Sequence, residues 1–316
     1  MNIDTRFPTK LNTVSDAPEP LRSELVKSLN SNEPVHLLVH APAFPTGDQK
    51  SPATVLVITN NGWLVASETE DGGVALVRSD FSNTLFFELT SILLLGQLII
   101  SFSETGEARS VTINFERVED EFYHEAIDLM LGGIDPARTA VAGGPNETSM
   151  FEGWPMKFRN EAQRYWPRGQ RLLAAIQWPA NQRQLAPAGA LLMTERELVL
   201  LSEGKMSSEV ASSSDEPEET PPTPVPPKVV NPAETPSAPG NVYEFADTIT
   251  FVPLARLADF QVSHQENGLL TLQLATSQGG EKLEISFPSD HEDAVLKGME
   301  KIKPAPNSAN PTLRKR

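Results

Sequence analysis

Val55–Glu68 reads VLVITNNGWLVASE, and it aligns without a gap over Ala190–Glu203, which reads ALLMTERELVLLSE. Each stretch consists of two apolar runs separated by a short polar turn, a pattern typical of two strands joined as a β-hairpin. Thr59 matches Thr194 beside the turn, and the same Ser-Glu pair closes both stretches. A pattern that occurs twice in one chain indicates an internal duplication.

The segments on both sides of this hairpin also match, in the same order. Each hairpin is preceded by a helical apolar pattern and then by a strand-like run, at Val35–Val39 in one copy and Leu172–Ile176 in the other. Two further blocks follow: Phe86–Ile92 aligns over Phe251–Leu257, and Val111–Phe115 aligns over Leu283–Phe287. Matched blocks in one order predict two related domains in tandem.

The fold class follows from the period of the strands. In Thr271–Ala275 and in 281–287, apolar residues occupy every second position, which is typical of antiparallel sheets with one buried face. We therefore expect an α+β, mainly β chain, in which each copy is a curved antiparallel sheet or small barrel with a closing C-terminal helix. The expected organisation is a disordered N-terminus at 1–17, a first domain at 18–134, a linker at 135–153, a second domain at 154–303 and a disordered tail at 304–316.

An insertion at 205–241 interrupts the second copy between two predicted strands. It is serine-rich, then acidic, then proline-rich, and it contains no aromatic residue. Such a composition cannot bury a core, so we expect disorder with stretches of polyproline II. A solvated tether is the favoured interpretation, and the alternative is that Pro221–Pro227 docks in an aromatic groove of a partner.

Three features occur together in the second copy: the segment Thr194–Val199, the segment Phe251–Leu257 and the terminal helical pattern. This combination resembles bacterial PH-like domains of the pleckstrin-homology superfold. The first copy has a weaker version, with Gly62 and Trp63 in the turn after its matching threonine. The resemblance implies a binding module for lipids, peptides or proteins, and it implies no specific ligand.

Composition narrows the class of function. The formal net charge is −16, with an isoelectric point near 4.8, so the surface repels phosphate backbones and argues against nucleic acid as a partner. The sequence contains no cysteine, which excludes disulfides and zinc–thiolate sites and suits a reducing cytoplasm.

One apolar run, Leu85–Phe102, approaches the minimum length of a membrane-spanning helix. Its matching segment in the second copy carries several charged residues and a Glu-Asn-Gly turn signal at 266–268, so we expect two strands joined by a turn, with the turn of the first copy near Gly96 and Gln97. Burial between the two domains is the favoured explanation for its apolar character. The alternative is a candidate apolar interface formed by Leu93, Leu94, Leu95 and Leu98.

The search for catalytic and metal-binding motifs identifies no catalytic, cofactor or metal residues. His124 begins a near match to a zinc-protease helix, but Asp128 stands where the second histidine would be. His36 and His40 are four apart on a predicted strand, hence on one face, where a paired-imidazole metal site is the alternative to two partly exposed histidines.

A candidate patch for an anionic ligand or a partner lies on a predicted helix with interleaved aromatic residues. Its basic residues are Lys157, Arg159, Arg164, Arg168 and Arg171. Because Phe158, Ala162 and Tyr165 share one helical face, the favoured interpretation is a core-facing stripe with the cations on the solvent side, where they could contact the acidic insertion.

Together these patterns favour a non-catalytic cytoplasmic binding or scaffolding protein that acts through protein–protein contacts. The first alternative is peripheral membrane or anionic-ligand binding through the basic helix at 157–171. The second is a hydrolase without a recognisable motif, for which His124 is the residue to test.

Overall fold

The computed structural model describes residues 7–30, 33–46, 49–92, 94–136, 148–166, 170–180, 187–204, 247–265, 268–278 and 282–302. The insertion at 205–241 and the tail at 304–316 therefore lie outside the described residues. The described part of the chain is mainly β, with helices at both ends of each half.

The first half contains β1 (Thr9–Lys10), α1 (Leu21–Ser28), β2 (Val35–Ala41), β3 (Phe44–Thr46), β4 (Gln49–Ser51), β5 (Thr54–Thr59), β6 (Gly62–Glu68), β7 (Val74–Asp80), β8 (Thr84–Ile92), β9 (Leu95–Glu104), β10 (Glu107–Glu116) and α2 (Glu121–Ile134). The second half contains α3 (Met156–Tyr165), β11 (Leu172–Trp178), β12 (Gly189–Thr194), β13 (Glu197–Glu203), β14 (Asp247–Pro253), β15 (Leu257–His264), β16 (Leu269–Thr276), β17 (Lys282–Pro288) and α4 (Glu292–Met299).

The order of elements repeats between the halves. Each half has a helix, a run of strands ending in β7 or β14, a short 3₁₀ turn, three antiparallel strands and a final helix. The 3₁₀ turns are Phe81–Asn83 in the first half and Leu254–Arg256 in the second. The two hairpins that the sequence aligned are the pairs β5–β6 and β12–β13, which supports the predicted duplication.

The strands form three principal antiparallel sheets and a small β3–β4 hairpin. The N-terminal sheet has the order β1-β2-β5-β6-β7, the shared sheet has the order β10-β9-β8-β14-β13-β12-β11, and the C-terminal sheet has the order β15-β16-β17. In the part of the chain described above, no sheet closes on itself, since each order begins and ends with a different strand. The small barrels that were one expectation are therefore replaced by open sheets.

The shared sheet takes strands from both halves of the chain. β14 of the second half pairs antiparallel with β8 of the first, from Asp247 opposite Ser91 to Phe251 opposite Phe87. The apolar run Leu85–Phe102 thus forms two central strands of this sheet, and its Glu88 side chain accepts a hydrogen bond from Thr250. No helix of the described residues is long and apolar enough to cross a membrane.

Three apolar cores separate the layers, because alternate residues of each strand face opposite sides. On β5, for example, Ile58 faces the shared sheet and Val57 faces α1. On β13, Val199 faces the N-terminal sheet and Leu200 faces the C-terminal sheet and α4. The central core therefore contains side chains from both halves of the chain.

Several expectations need correction at this level. Residues 7–17 were expected in a disordered N-terminus, but β1 pairs with β2, and Leu11 and Ala17 are buried. Phe151, expected in the linker, is fully buried because it packs against Trp154 and Trp166. Apolar side chains at these positions have core partners that the local pattern did not reveal.

The turn between β8 and β9 also differs from the expectation. It lies just before Leu95, whereas the sequence placed it near Gly96 and Gln97. Gly96 instead sits inside β9, where a side chain would overlap the ring of Phe115. The glycine therefore serves a close packing contact on the sheet, with no role in the turn itself.

The alignment of Phe86–Ile92 over Phe251–Leu257 was wrong. The first block lies entirely within β8, whereas the second runs from the end of β14 through the 3₁₀ turn to the first residue of β15. By position relative to the turns, β8 corresponds to β15. The two blocks were aligned because both contain short apolar runs, and such runs cannot be told apart by their hydrophobic pattern alone.

Candidate functional site

Helix α3 presents the predicted apolar stripe to the central core. Phe158, Ala162 and Tyr165 are buried there, at a spacing that places them on one side of the helix. The helix packs on the shared sheet next to β12 and β13. Three cations of the candidate anionic-ligand patch, Lys157, Arg159 and Arg164, lie on α3 outside this stripe. The predicted helix at 157–171 was too long, because α3 ends at Tyr165 and Arg171 lies just before β11.

Lys157 is paired rather than free. Its ammonium group lies 3.0 Å from the Glu203 carboxylate and 2.6 Å from the Asp247 carboxylate. Burial would lower the Lys157 pKa, but the hydrogen bonds to Asp247 and Glu203 outweigh burial and raise it. Glu203 and Asp247 lie opposite each other at the ends of β13 and β14, so Lys157 pairs with two carboxylates of the shared sheet. The acidic stretch of the insertion, which the sequence offers as a partner for these cations, lies outside the described residues.

Two more cations of the patch have acidic partners. Arg164 lies 2.9 Å from Asp120, at the start of α2, and Arg171 lies 2.9 Å from Glu195. Arg159 is exposed and has no acidic partner among the described residues, and Arg168 lies outside them. Three of the predicted basic residues are thus neutralised locally, which weakens their attraction for an external anion.

Arg117, which the sequence analysis did not single out, connects this network to the apolar hairpin. Its Nε lies 3.4 Å from Asp120, the carboxylate that also binds Arg164. Its backbone N–H donates to the carbonyl of Leu94, in the turn between β8 and β9, over 2.7 Å. The chain therefore brings the basic helix and the apolar hairpin to the same end of the shared sheet.

The four residues of the candidate apolar interface have different environments. Leu98 is fully buried in the central core, and Leu95 is half-buried. Leu94 has 72% of its surface exposed, and Leu93 lies outside the described residues. Val118, next to Arg117, is 58% exposed. We call Leu94, Val118 and the adjoining Arg117 the hairpin-end patch.

His124 lies in a covered position on α2. Its imidazole stacks on the ring of Tyr165, with centroids 4.7 Å apart and planes inclined by 18°. Burial, reinforced by the nearby Arg164 charge, lowers the His124 pKa to about 4, so the ring is neutral at physiological pH. Burial likewise raises the pKa of Tyr165 to about 12. This arrangement joins α2 to α3.

Glu161, on α3, also has a displaced pKa. Burial and the nearby Asp247 carboxylate raise the pKa of Glu161 to about 7, against the opposing effect of Lys157 and Arg117. Its protonation therefore changes near neutral pH. No sequence motif marks Glu161, because its environment comes from residues of β14 and of the turn before α2, which are distant in the chain.

The two histidines proposed to share a face do not act together. His36 is exposed and its ring hydrogen-bonds the Asn60 side chain, whereas His40 is buried. A register shift between Val35 and Leu37 makes His36 a bulge residue, so the regular alternation of β2 does not extend to it. Among the described residues, no group of three or more His, Asp or Glu side chains could hold a metal ion.

Comparison with known proteins identified no relative of this chain. No family model matches the chain, and no curated protein matches it.

Proposed function

We propose that this chain is a non-catalytic binding protein that contacts a partner protein through the hairpin-end patch. The observation that carries the proposal is that Leu94, 72% exposed, accepts the backbone hydrogen bond of Arg117, and that Val118, the residue after Arg117, is 58% exposed. Neighbouring exposed aliphatic side chains are typical of a contact surface. A binding role is also what the resemblance to PH-like domains implies.

The charged groups around the patch suit a protein partner better than a lipid surface. Arg117 and Arg164 share Asp120, and Lys157 is held by two carboxylates. With these cations paired inside a chain of net charge −16, little positive charge remains near Leu94 and Val118 to attract an anionic lipid surface. Exposed aliphatic side chains beside charges that are already paired suit a protein partner. We propose a cytoplasmic location on the absence of cysteine.

A hydrolase role for His124 has less support. The ring is stacked on Tyr165 and held neutral by burial, and these two contacts favour a structural role between α2 and α3. The proposal therefore assigns His124 no chemistry.

The test is affinity purification of the full chain from its native host, with Leu94→Asp and Val118→Asp as variants. Val26→Asp is the matched control, because Val26 is a 60% exposed aliphatic residue on α1. We expect a partner that the wild type and the control enrich equally, and that each patch variant enriches about tenfold less, since a charge at an apolar contact typically removes more than 1 kcal/mol.

Equal enrichment by all variants, or no enriched protein at all, would overturn the proposal. A further variant of the chain lacks residues 207–240. If this variant alone fails to enrich the partner, the partner binds the proline-rich insertion.

A further inference from the structure

β7 and β14 occupy the same place in the two halves of the chain. Each strand leads directly into a 3₁₀ turn, at Phe81–Asn83 and Leu254–Arg256. In each half the first residue of the turn donates its N–H to the turn of the preceding hairpin, Phe81 to the Asn61 carbonyl and Leu254 to the Arg196 carbonyl. The outer edge of β14 therefore corresponds to the outer edge of β7.

The two edges differ in what covers them. The edge of β14 is paired with β8 through five consecutive residues, from Asp247 to Phe251. β7 is the last strand of the N-terminal sheet, and in the described residues no strand pairs with its outer side. One copy of this edge thus binds a strand, whereas the other copy has no strand beside it in the described part of the chain.

The hydrogen-bonding phase of β7 can be worked out from two backbone contacts. Phe81 donates to Asn61, and Glu68 donates to Ala53 on the opposite side of β6. Because the bonds of an antiparallel ladder alternate, Ala75, Val77 and Ser79 face β6. The N–H and C=O groups of Val74, Leu76 and Arg78 therefore point outward, where they can pair with an additional strand.

A groove of about 680 Å³ adjoins the end of this edge. It is lined by the end of β7, by the turn between β9 and β10, and by Gln278. Asp80 in its wall has no ion-pair partner among the described residues, and Glu104 pairs with Arg109 at 2.5 Å. Arg78 is bound to Glu33 and to the Ser28 carbonyl, so it is not free to oppose Asp80.

We propose that β7 accepts an extended segment of a partner protein as an added strand, with a lysine or arginine of that segment entering the groove beside Asp80. The outward groups of Val74, Leu76 and Arg78 supply the backbone bonds. The Leu76 side chain, 37% exposed, contacts an apolar residue of the segment. A second copy of this chain is disfavoured as the occupant, because both chains carry a net charge of −16.

The experiment selects displayed random peptides on the full chain and counter-selects them on the Leu76→Pro variant. Proline at Leu76 removes an outward N–H and leaves the ladder to β6 in place, so the variant keeps the sheet. We expect enriched peptides with alternating apolar residues and a basic residue. Their affinity should fall about tenfold or more with Leu76→Pro, which removes a backbone bond and obstructs the edge, and severalfold with Asp80→Asn.

A second readout does not depend on how the variants fold. Two sets of alternate amides of a selected peptide can be N-methylated. Methylation of one set should abolish binding and methylation of the other set should leave it intact, because only every second amide of an added strand faces β7. On the protein, peptide binding should slow hydrogen exchange at the amides of Leu76 and Arg78. Val77, already bonded to β6, should change little.

The proposal is overturned if no peptide is enriched, if the selected peptides bind Leu76→Pro as well as the wild type, or if methylation of either set has the same effect. A dimer in sedimentation that Leu76→Pro dissociates would replace the partner segment with a second copy. Leu94→Asp is the control that separates this site from the hairpin-end patch, and peptide binding should be unchanged in it.

Discussion

Phe87 of β8 lies directly opposite Phe251 of β14, in the pair that closes the ladder between the two halves of the chain. The two rings are 0% and 5% exposed, and both belong to the central core. Residues directly opposite each other in an antiparallel ladder point to the same face of the sheet, so both side chains are buried in this one core. The two halves are therefore joined by a shared core as well as by backbone bonds.

Separating the halves should leave neither of them stably folded as a monomer. Residues 7–136 alone would expose the edge of β8, and residues 148–302 alone would expose the edge of β14. Open apolar edges associate, so we expect aggregation of each half and a single complex on co-expression, measured by size-exclusion chromatography. A monomeric, cooperatively unfolding first half would contradict this prediction.

Thr84→Val should destabilise the protein by about 1–3 kcal/mol, because it leaves a buried N–H without an acceptor. The Trp63 indole donates to the Thr84 hydroxyl over 2.9 Å, which ties β6 of the N-terminal sheet to β8 of the shared sheet. Urea unfolding followed by tryptophan fluorescence measures the effect. Thr84→Ser keeps the hydroxyl and should lose less stability than Thr84→Val. An equal loss of stability in both variants would contradict the hydrogen bond between Trp63 and Thr84.

Gly96→Ala should lower the free energy of unfolding by about 1–3 kcal/mol, the usual effect of overpacking a core. The added carbon would overlap the ring of Phe115, which itself stacks on Tyr123 with centroids 3.8 Å apart. Phe115→Leu should relieve the overlap, so the double variant should be more stable than the sum of the single effects implies. Strict additivity in a double-mutant cycle would argue against the contact.

His124 should make the protein less stable as the pH falls. The folded pKa of about 4 is below the ordinary value of 6.5, so the unfolded chain takes up the proton first. The stability contribution is present above pH 6.5 and is lost as the pH falls toward 4. Between pH 7 and pH 5 we expect His124→Phe, which keeps a ring on Tyr165, to gain about 2 kcal/mol relative to the wild type in urea unfolding.

Glu161 should act in the opposite direction over nearly the same range. Its folded pKa of about 7 exceeds the ordinary 4.5, so its contribution is present below pH 4.5 and is lost as the pH rises through 7. Glu161→Gln should therefore lose stability relative to the wild type on acidification from pH 7 to pH 5. If the two variants respond with the same sign, the environments assigned to these side chains are wrong.

The sequence predicted local hairpins better than long-range pairings. The β5–β6 and β12–β13 hairpins could be found because each has its own alternation and turn signal. The ladder between β8 and β14 could not be predicted, because neither strand has a sequence feature that identifies the strand with which it pairs. The similarity of Phe86–Ile92 to Phe251–Leu257 was taken for equivalence between copies, whereas Phe87 and Phe251 face each other across the ladder.

The candidate sites show the same division. The core-facing stripe of α3 was predictable from its period, because Phe158 and Ala162 are one turn apart. The pairing of its cations was not, because Asp120 and Asp247 come from other elements. Leu94 was identified by its apolar neighbours in the sequence, but its hydrogen bond to Arg117, the residue before Val118, is a long-range contact that only the folded chain reveals.

Glu203 and Asp247, the residues that Lys157 holds, are also opposite one another in the ladder of β13 and β14. The chain thus leaves the shared sheet and returns to it at a single point. New chain ends placed between these two residues would leave every strand of the described sheets intact, and a foreign domain with closely spaced termini could be inserted there. The position is a natural site for circular permutation or for attaching a reporter in the middle of the gene.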